Sequence, residues 1–207
     1  MITILITGFG PFPGTPVNPT GPLVAHLARL RRPALRNVRL IGHVFPTRYA
    51  AVDQDLPFLL AQHRPDALLM FGVAPRRRHL SIETRARNAL ALLPDAGSGS
   101  LGRHAIGGEL SERRMPAPVR HLLRAARIGS LPAALSFDAG KYLCNYLCWR
   151  AAEAVSTGPA PRLAAFIHVP QMFRTPRRRA DPRRPSPADL TRAGERVLVT
   201  LAAAARR

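Results

Sequence analysis

Residues 66–72 read Asp-Ala-Leu-Leu-Met-Phe-Gly, a short apolar run between Pro65 and a closing glycine. A run of this length with such punctuation reads as a strand buried on both faces. Two similar runs stand near the ends of the chain. ITILIT (2–7) stops at Gly8, and LAAFIHV (163–169) stops before Pro170. Two further segments, NVRLIGHVF (37–45) and LPAALSF (131–137), also read as strands. Between these lie helical patterns. LVAHLARL follows Asn18-Pro19-Thr20, and residues 48–63, 116–126 and 140–155 are the others. A terminal helix runs from Ser186-Pro187-Ala188-Asp189 to about residue 204. That last start has an N-cap serine, a proline at the first helical position and an acid in the first turn. Segment 79–90 begins with period-two character and then turns ambiguous. Residues 9–18, 94–112 and 171–185 read as loops, the second flexible, the third basic and Pro-rich.

Strands alternate with helices from end to end. The expected fold is one domain over 1–207, a three-layer α/β/α sandwich around a mostly parallel twisted sheet. In such sheets ligands bind outside the carboxyl ends of the strands. Four segments fall at strand ends: Gly8–Phe12, Gly72–Arg77, Asp138–Cys144 and His168.

The formal charge of +19 comes almost wholly from arginine, since Lys141 is the only lysine. Charge of that size raises the reading of a nucleic-acid binder. Against it, the arginines are dispersed apart from Arg76–Arg78 and Arg177–Arg179, aromatics are 6%, and no aromatic pattern interleaves the basic runs. The pattern fits a compositional bias better than a nucleic-acid surface. No stretch has the length of a membrane span, and MITILITGFG lacks the basic start and cleavage site of a signal peptide. The expectation is a soluble, cytoplasmic protein. Two cysteines, Cys144 and Cys148, are too few for a disulfide framework or a zinc site.

Cys144 stands near a helix start, where the helix dipole favours a thiolate. Taken alone, it fits a small buried hydrophobe better, and Cys148, one turn deeper, fits that role better still. Seven histidines occur, and only His168 ends an apolar strand. It reads as a general base and acid, or equally as a satisfied buried histidine. Glu83, within LSIET, is a carboxylate among apolar neighbours. It reads as the partner of an imidazolium, or as a surface acid paired with Arg85 or Arg87.

At these residues the chain resembles the pyroglutamyl peptidase type I (pyrrolidone-carboxylate peptidase) family of cysteine peptidases. Gly8-Phe9-Gly10-Pro11-Phe12 with Asn18-Pro19-Thr20 is similar to its first signature. Ser81-Ile82-Glu83 with Asn88 is similar to its glutamate motif. Asp138-Ala139-Gly140-Lys141-Tyr142-Leu143-Cys144-Asn145 is similar to its nucleophile motif, and Phe166-Ile167-His168-Val169-Pro170 to its histidine motif. The resemblance implies a Cys144–His168–Glu83 triad that hydrolyses the bond after an N-terminal pyroglutamyl residue. It implies a pocket with Phe9 and Phe12 packed on the lactam ring and Asn18, Thr47 and Val73 beside it. Tyr142 and Leu143 complete that pocket. It further implies a peptide substrate, no cofactor and a homo-oligomer, a tetramer in many members.

The chain departs from the family pattern at Val73, where many members carry glutamine, and at Thr84, where arginine is common. Pro13-Gly14 replaces a glycine pair, Arg76 a loop glycine, and Leu92 or Leu93 a supporting arginine. Arg85 and Arg87 are the nearest candidates to take that arginine's place. Two other readings follow from these departures. One is the same triad on a different small cyclic amide or acyl-amide. The other is a non-catalytic protein binding through its arginine-rich surface.

Overall fold

The computed structural model describes residues 1–12, 15–97, 99–129, 131–171 and 186–207. The expected basic loop 171–185 therefore lies outside the described residues from position 172 onward, as do Pro13 and Gly14.

Six strands form one sheet: β1 (Ile2–Phe9), β2 (Val38–Phe45), β3 (Ala67–Ala74), β4 (Leu80–Glu83), β7 (Ala133–Ser136) and β8 (Leu163–Pro170). Their order is β2-β1-β3-β8-β4-β7. The first four are mutually parallel, and β4 and β7 are parallel to each other. Among the described residues the sheet's one antiparallel junction is between β8 and β4, where Ser81 lies opposite His168. The sheet is mostly parallel, as expected.

Helices cover both faces. Side chains of α1 (Thr20–Ala28), α3 (Val119–Ala126) and α5 (Pro187–Ala205) build one core with Ile4, Leu69 and Ile167. Those of α2 (Tyr49–His63) and α4 (Leu143–Thr157) build the other with Leu5, Met70 and Phe166. Successive strand residues alternate between the two cores, which is why β1, β3 and β8 are mostly apolar on both faces. Helix α5 begins with the expected cap. The Ser186 hydroxyl accepts the Asp189 N–H, and the Asp189 carboxylate accepts the Ser186 N–H.

Several boundaries differ from the sequence reading, each for a physical reason. Helix α3 starts at Val119 rather than 116, because Pro116 and Pro118 each hold the preceding residue out of the helical region. Helix α4 starts at Leu143 rather than 140. Gly140 takes a left-handed φ of +87° and Tyr142 is extended, so the chain is still turning there. This shift makes Cys144 the second residue of its helix.

The ambiguous segment 79–90 is two strands, not one. β4 joins the main sheet, then β5 (Arg85–Arg87) leaves it to pair antiparallel with β6 (Glu112–Arg114). Residues 94–112, expected to be flexible, are tied down by side chains. The Asn88 amide bonds the backbone of Ile106, Gly107, Gly108 and Leu110. The Asp95 carboxylate accepts the N–H groups of Tyr49, Gly97 and Gly99.

Candidate active site

The site is assembled on the α2/α4 face around the β8–β4 junction. Strand partners put Gly72 of β3 on one side of His168 and Ser81 of β4 on the other. Paired residues share a face, and so do residues two apart along a strand. Gly72, Phe166, His168, Ser81 and Glu83 therefore all point toward α4.

Glu83 is fully buried and His168 is 4% exposed, so their charges must answer to each other. The Glu83 Oε1 to His168 Nδ1 distance is 2.7 Å. Burial by itself would lower the His168 pKa. The charge of the Cys144 sulfur and hydrogen bonds with Cys144 and Glu83 outweigh that and push it up to about 9. Burial would likewise raise the Glu83 pKa. The His168 hydrogen bond and charge, with Ser136 and Arg77, hold it below the usual carboxylate value instead.

Cys144 is half-buried, with its sulfur above Gly72. A Cβ at Gly72 would stand 2.7 Å from Cys144 Sγ and 2.7 Å from the Phe166 ring. Only glycine leaves room for a sulfur to rest on β3 at this point. No side chain caps the start of α4, so the first N–H groups of the helix remain available beside the sulfur. Cys148, one turn on, is fully buried, and burial raises its pKa well above the ordinary thiol value.

A cavity of about 240 Å³ opens onto Cys144 and His168. It is small beside pockets for drug-sized ligands, which run about 300–1,000 Å³. All seven residues expected to contact substrate line it: Phe9, Phe12, Asn18, Thr47, Val73, Tyr142 and Leu143. Pro75 and Ala139 line it too and were not anticipated. Its side-chain polar groups are already engaged. Asn18 donates to the Gly10 carbonyl and accepts from Thr20, while Thr47 donates to Gly10 and Pro11. The Tyr142 hydroxyl donates to the Pro94 carbonyl. Asn18 and Thr47 thus shape the loop that follows Phe9 and carries Phe12, and the cavity's free surface is largely apolar.

The sequence reading placed four segments at strand carboxyl ends on a common edge. β1, β3 and β8 do run that way. β4 and β7 run the opposite way, so Glu83 reaches His168 across the strand pair. The stretch from Asp138 to Tyr142 turns back to set Cys144 over Gly72.

The arginine beside Glu83 is neither Arg85 nor Arg87. Arg85 bonds Glu112 and the Phe137 carbonyl, and Arg87 bonds the Asp138 carboxylate. Leu92 and Leu93 are exposed. Instead Arg77 donates to Glu83 Oε1 at 2.7 Å and to the Asp138 carbonyl at 2.6 Å. It sits in a triple-arginine run with no pattern to mark the middle residue. Asn145 was also missed as a structural group. Its fully buried amide bonds Arg87 N–H, Arg87 C=O and Ala89 C=O, clamping α4 to β5.

Among the described residues no helix is long and apolar enough to cross a membrane, and no cluster of His, Cys, Asp and Glu could hold a metal ion.

The geometry agrees with what the chain is similar to. The model of the pyroglutamyl peptidase family matches residues 2–206. A pyrrolidone-carboxylate peptidase from Pyrococcus furiosus is 30% identical over 169 residues, covering 81% of this chain and 80% of that one. Another from Thermococcus litoralis is 31% identical over 176 residues, covering 82% and 77%. Among solved structures, the pyrrolidone carboxyl peptidase from Thermococcus litoralis superposes with a TM-score of 0.86 at 26% identity, covering 97% of this chain and 93% of that one. The pyroglutamyl peptidase I of Bacillus amyloliquefaciens gives 0.83 at 26% identity, with 98% of each chain covered. With its whole length matched and its fold shared, this chain belongs to the pyroglutamyl peptidase family.

Proposed function

We propose that the protein hydrolyses the amide bond after an N-terminal pyroglutamyl residue, with Cys144 as nucleophile, His168 as general base and acid, and Glu83 as the orienting carboxylate. The observation that carries this reading is the 2.7 Å Glu83–His168 contact beside Cys144, at the mouth of a small apolar cavity.

The chemistry follows from the positions. Glu83 occupies Nδ1, which leaves Nε2 of His168 to exchange a proton with the thiol. The Cys144 sulfur attacks the pyroglutamyl carbonyl carbon, and the carbonyl oxygen becomes an oxyanion. N–H groups at the start of α4 are the available donors for it. His168 then protonates the departing amine, which releases the shortened peptide and leaves a thioester. Water, deprotonated by His168, attacks the thioester and frees pyroglutamate with the thiol restored. The lactam is neutral, which suits a cavity without a free charged side chain. Phe9, Phe12, Val73, Tyr142 and Leu143 enclose the ring. A cytoplasmic homo-oligomer, with a tetramer as the expected size, completes the reading, and analytical ultracentrifugation would test the oligomer.

The test is release of an arylamine from a pyroglutamyl-arylamide, with a prolyl-arylamide in parallel. Cleavage of the first only, lost in Cys144→Ser and after thiol alkylation, is the expected result. No release above buffer under reducing conditions would overturn the reading.

One observation favours a second reading with the same triad. The cavity's polar side chains are engaged internally and Val73 is apolar, so ring recognition falls to the backbone. Another small cyclic amide could then be the better substrate. Faster cleavage of a six-membered lactam arylamide than of the pyroglutamyl one would select it.

A further inference from the structure

We propose that Arg77 is a positioning residue of this site, which holds Glu83 ionised while His168 changes charge and ties Glu83 to the loop that delivers Cys144. The proposal rests on the Cys144–His168–Glu83 reading.

Arg77 lies in the turn between β3 and β4, where its N–H bonds the Ala74 carbonyl. Its half-buried guanidinium makes two contacts that no other side chain among the described residues makes together. One nitrogen donates to Glu83 Oε1 at 2.7 Å, the same oxygen that faces His168 Nδ1. The other donates at 2.6 Å to the Asp138 carbonyl. Asp138 in turn fixes the turn toward α4, because its carboxylate accepts the Gly140 N–H at 2.8 Å and bonds Arg87. A planar guanidinium can hold two acceptors in set directions, which an ammonium cannot.

Two consequences follow. A fully buried carboxylate is costly unless paired, and in this reaction its partner His168 loses and regains a proton in every cycle. Arg77 stays charged throughout, so Glu83 keeps one cation when His168 is neutral. Arg77 also competes with the imidazolium for Oε1 and so moderates the pull of Glu83 on it. Without Arg77, Glu83 would take a proton at a higher pH and, once ionised, would hold the His168 proton more strongly. Both limbs of the reactivity profile should then move to higher pH. Among the described residues, the other ionisable or charged groups facing this cluster include Cys148 from α4, Tyr49 from α2, Tyr142 and Asp138 from the loop before α4, and Arg87 from β5.

The experiment compares wild type, Arg77→Gln and Arg77→Lys. Two measurements are taken: the pH dependence of Cys144 alkylation by iodoacetamide, and kcat and KM on the pyroglutamyl-arylamide. Alkylation reads the thiol–imidazole pair without any substrate. For Arg77→Gln both limbs should rise by about half to one pH unit. Its kcat should fall about 10- to 100-fold with KM within about threefold. Arg77→Lys should keep the wild-type limbs, since the charge remains, yet lose about tenfold in kcat because the Asp138 link is gone. A folded Arg77→Gln with wild-type limbs and kcat would overturn the proposal. If Arg77→Gln does not fold, Arg77→Lys decides: wild-type kcat there overturns the link. If wild type cleaves no pyroglutamyl-arylamide but the alkylation limbs move as stated, the proposed substrate fails and the role of Arg77 stands.

Discussion

Glu83 Oε1 lies 2.7 Å from His168 Nδ1, although the two residues are 85 positions apart and belong to neighbouring strands that run in opposite directions. The antiparallel junction makes this contact. Ser81 is opposite His168 in the register, so Glu83, two residues on, shares its face and reaches the imidazole diagonally. On the other side of β8, Gly72 is opposite His168 and leaves room for the Cys144 sulfur. The imidazole is thus flanked by a carboxylate from β4 and by a thiol resting on β3.

The two thiols should behave oppositely. Cys144 opens onto the cavity and Cys148 is fully buried with its thiol held protonated. Native protein treated with iodoacetamide should take up one label per chain, at Cys144 by mass spectrometry, and two once unfolded. Cys148→Ala should keep activity while lowering stability by about 1–2 kcal/mol. Labelling of Cys148 first would contradict this.

Stability should depend on pH in two windows. The His168 pKa is raised, so its contribution is complete below about 6.5, the unfolded value. That contribution is lost as pH rises through about 9. The Glu83 pKa is lowered, so its contribution is complete above about 4.3, the unfolded value. It disappears as pH falls through the depressed folded value. Urea midpoints should therefore fall on both sides of a plateau between about pH 5 and 6.5. In Cys144→Ala the alkaline decline should end at lower pH and be smaller in total, because the sulfur's charge and hydrogen bond help to raise the folded His168 value. An alkaline limb that stays in place in that variant would break the proposed coupling.

Gly72→Ala is expected to cost activity more than fold. The new methyl would meet Cys144 Sγ and the Phe166 ring, both at 2.7 Å. Relief requires the sulfur to shift away from His168 or the Phe166 ring to move within the core. A destabilisation of about 1–3 kcal/mol is expected. The kcat should fall by at least about tenfold, since small misplacements of reacting groups are costly. Denaturant melts and steady-state kinetics on the same preparation would measure both.

Asn145→Ala removes three hydrogen bonds between the start of α4 and β5. It leaves the Arg87 N–H and the Ala89 carbonyl short of a partner, while the Arg87 carbonyl keeps the Ala89 N–H. A loss of about 1–3 kcal/mol is expected, from two part-buried backbone groups left unpaired with partial relief by water. Hydrogen exchange should speed up at Arg87. Unchanged protection there would show that the clamp is not needed.

Local order determined much of what could be read without coordinates. Apolar runs closed by glycine, as at 2–8 and 66–72, mark buried strands because period and punctuation are properties of a few adjacent residues. The capping box at Ser186 and Asp189 is local in the same way. The motifs around Cys144, His168 and Glu83 were legible too, and the resemblance they carry named every cavity-lining residue except Pro75 and Ala139. What adjacent residues could not encode is strand direction and partner choice. The reversal of β4 and β7 arises from packing six strands between two helical layers, and it decides which face Glu83 shares with His168. The choice of Arg77 over Arg76, Arg78, Arg85 or Arg87 has the same origin. Five similar side chains differ only in which buried acceptors the folded backbone brings within reach, so tertiary structure alone assigns the charge that faces Glu83.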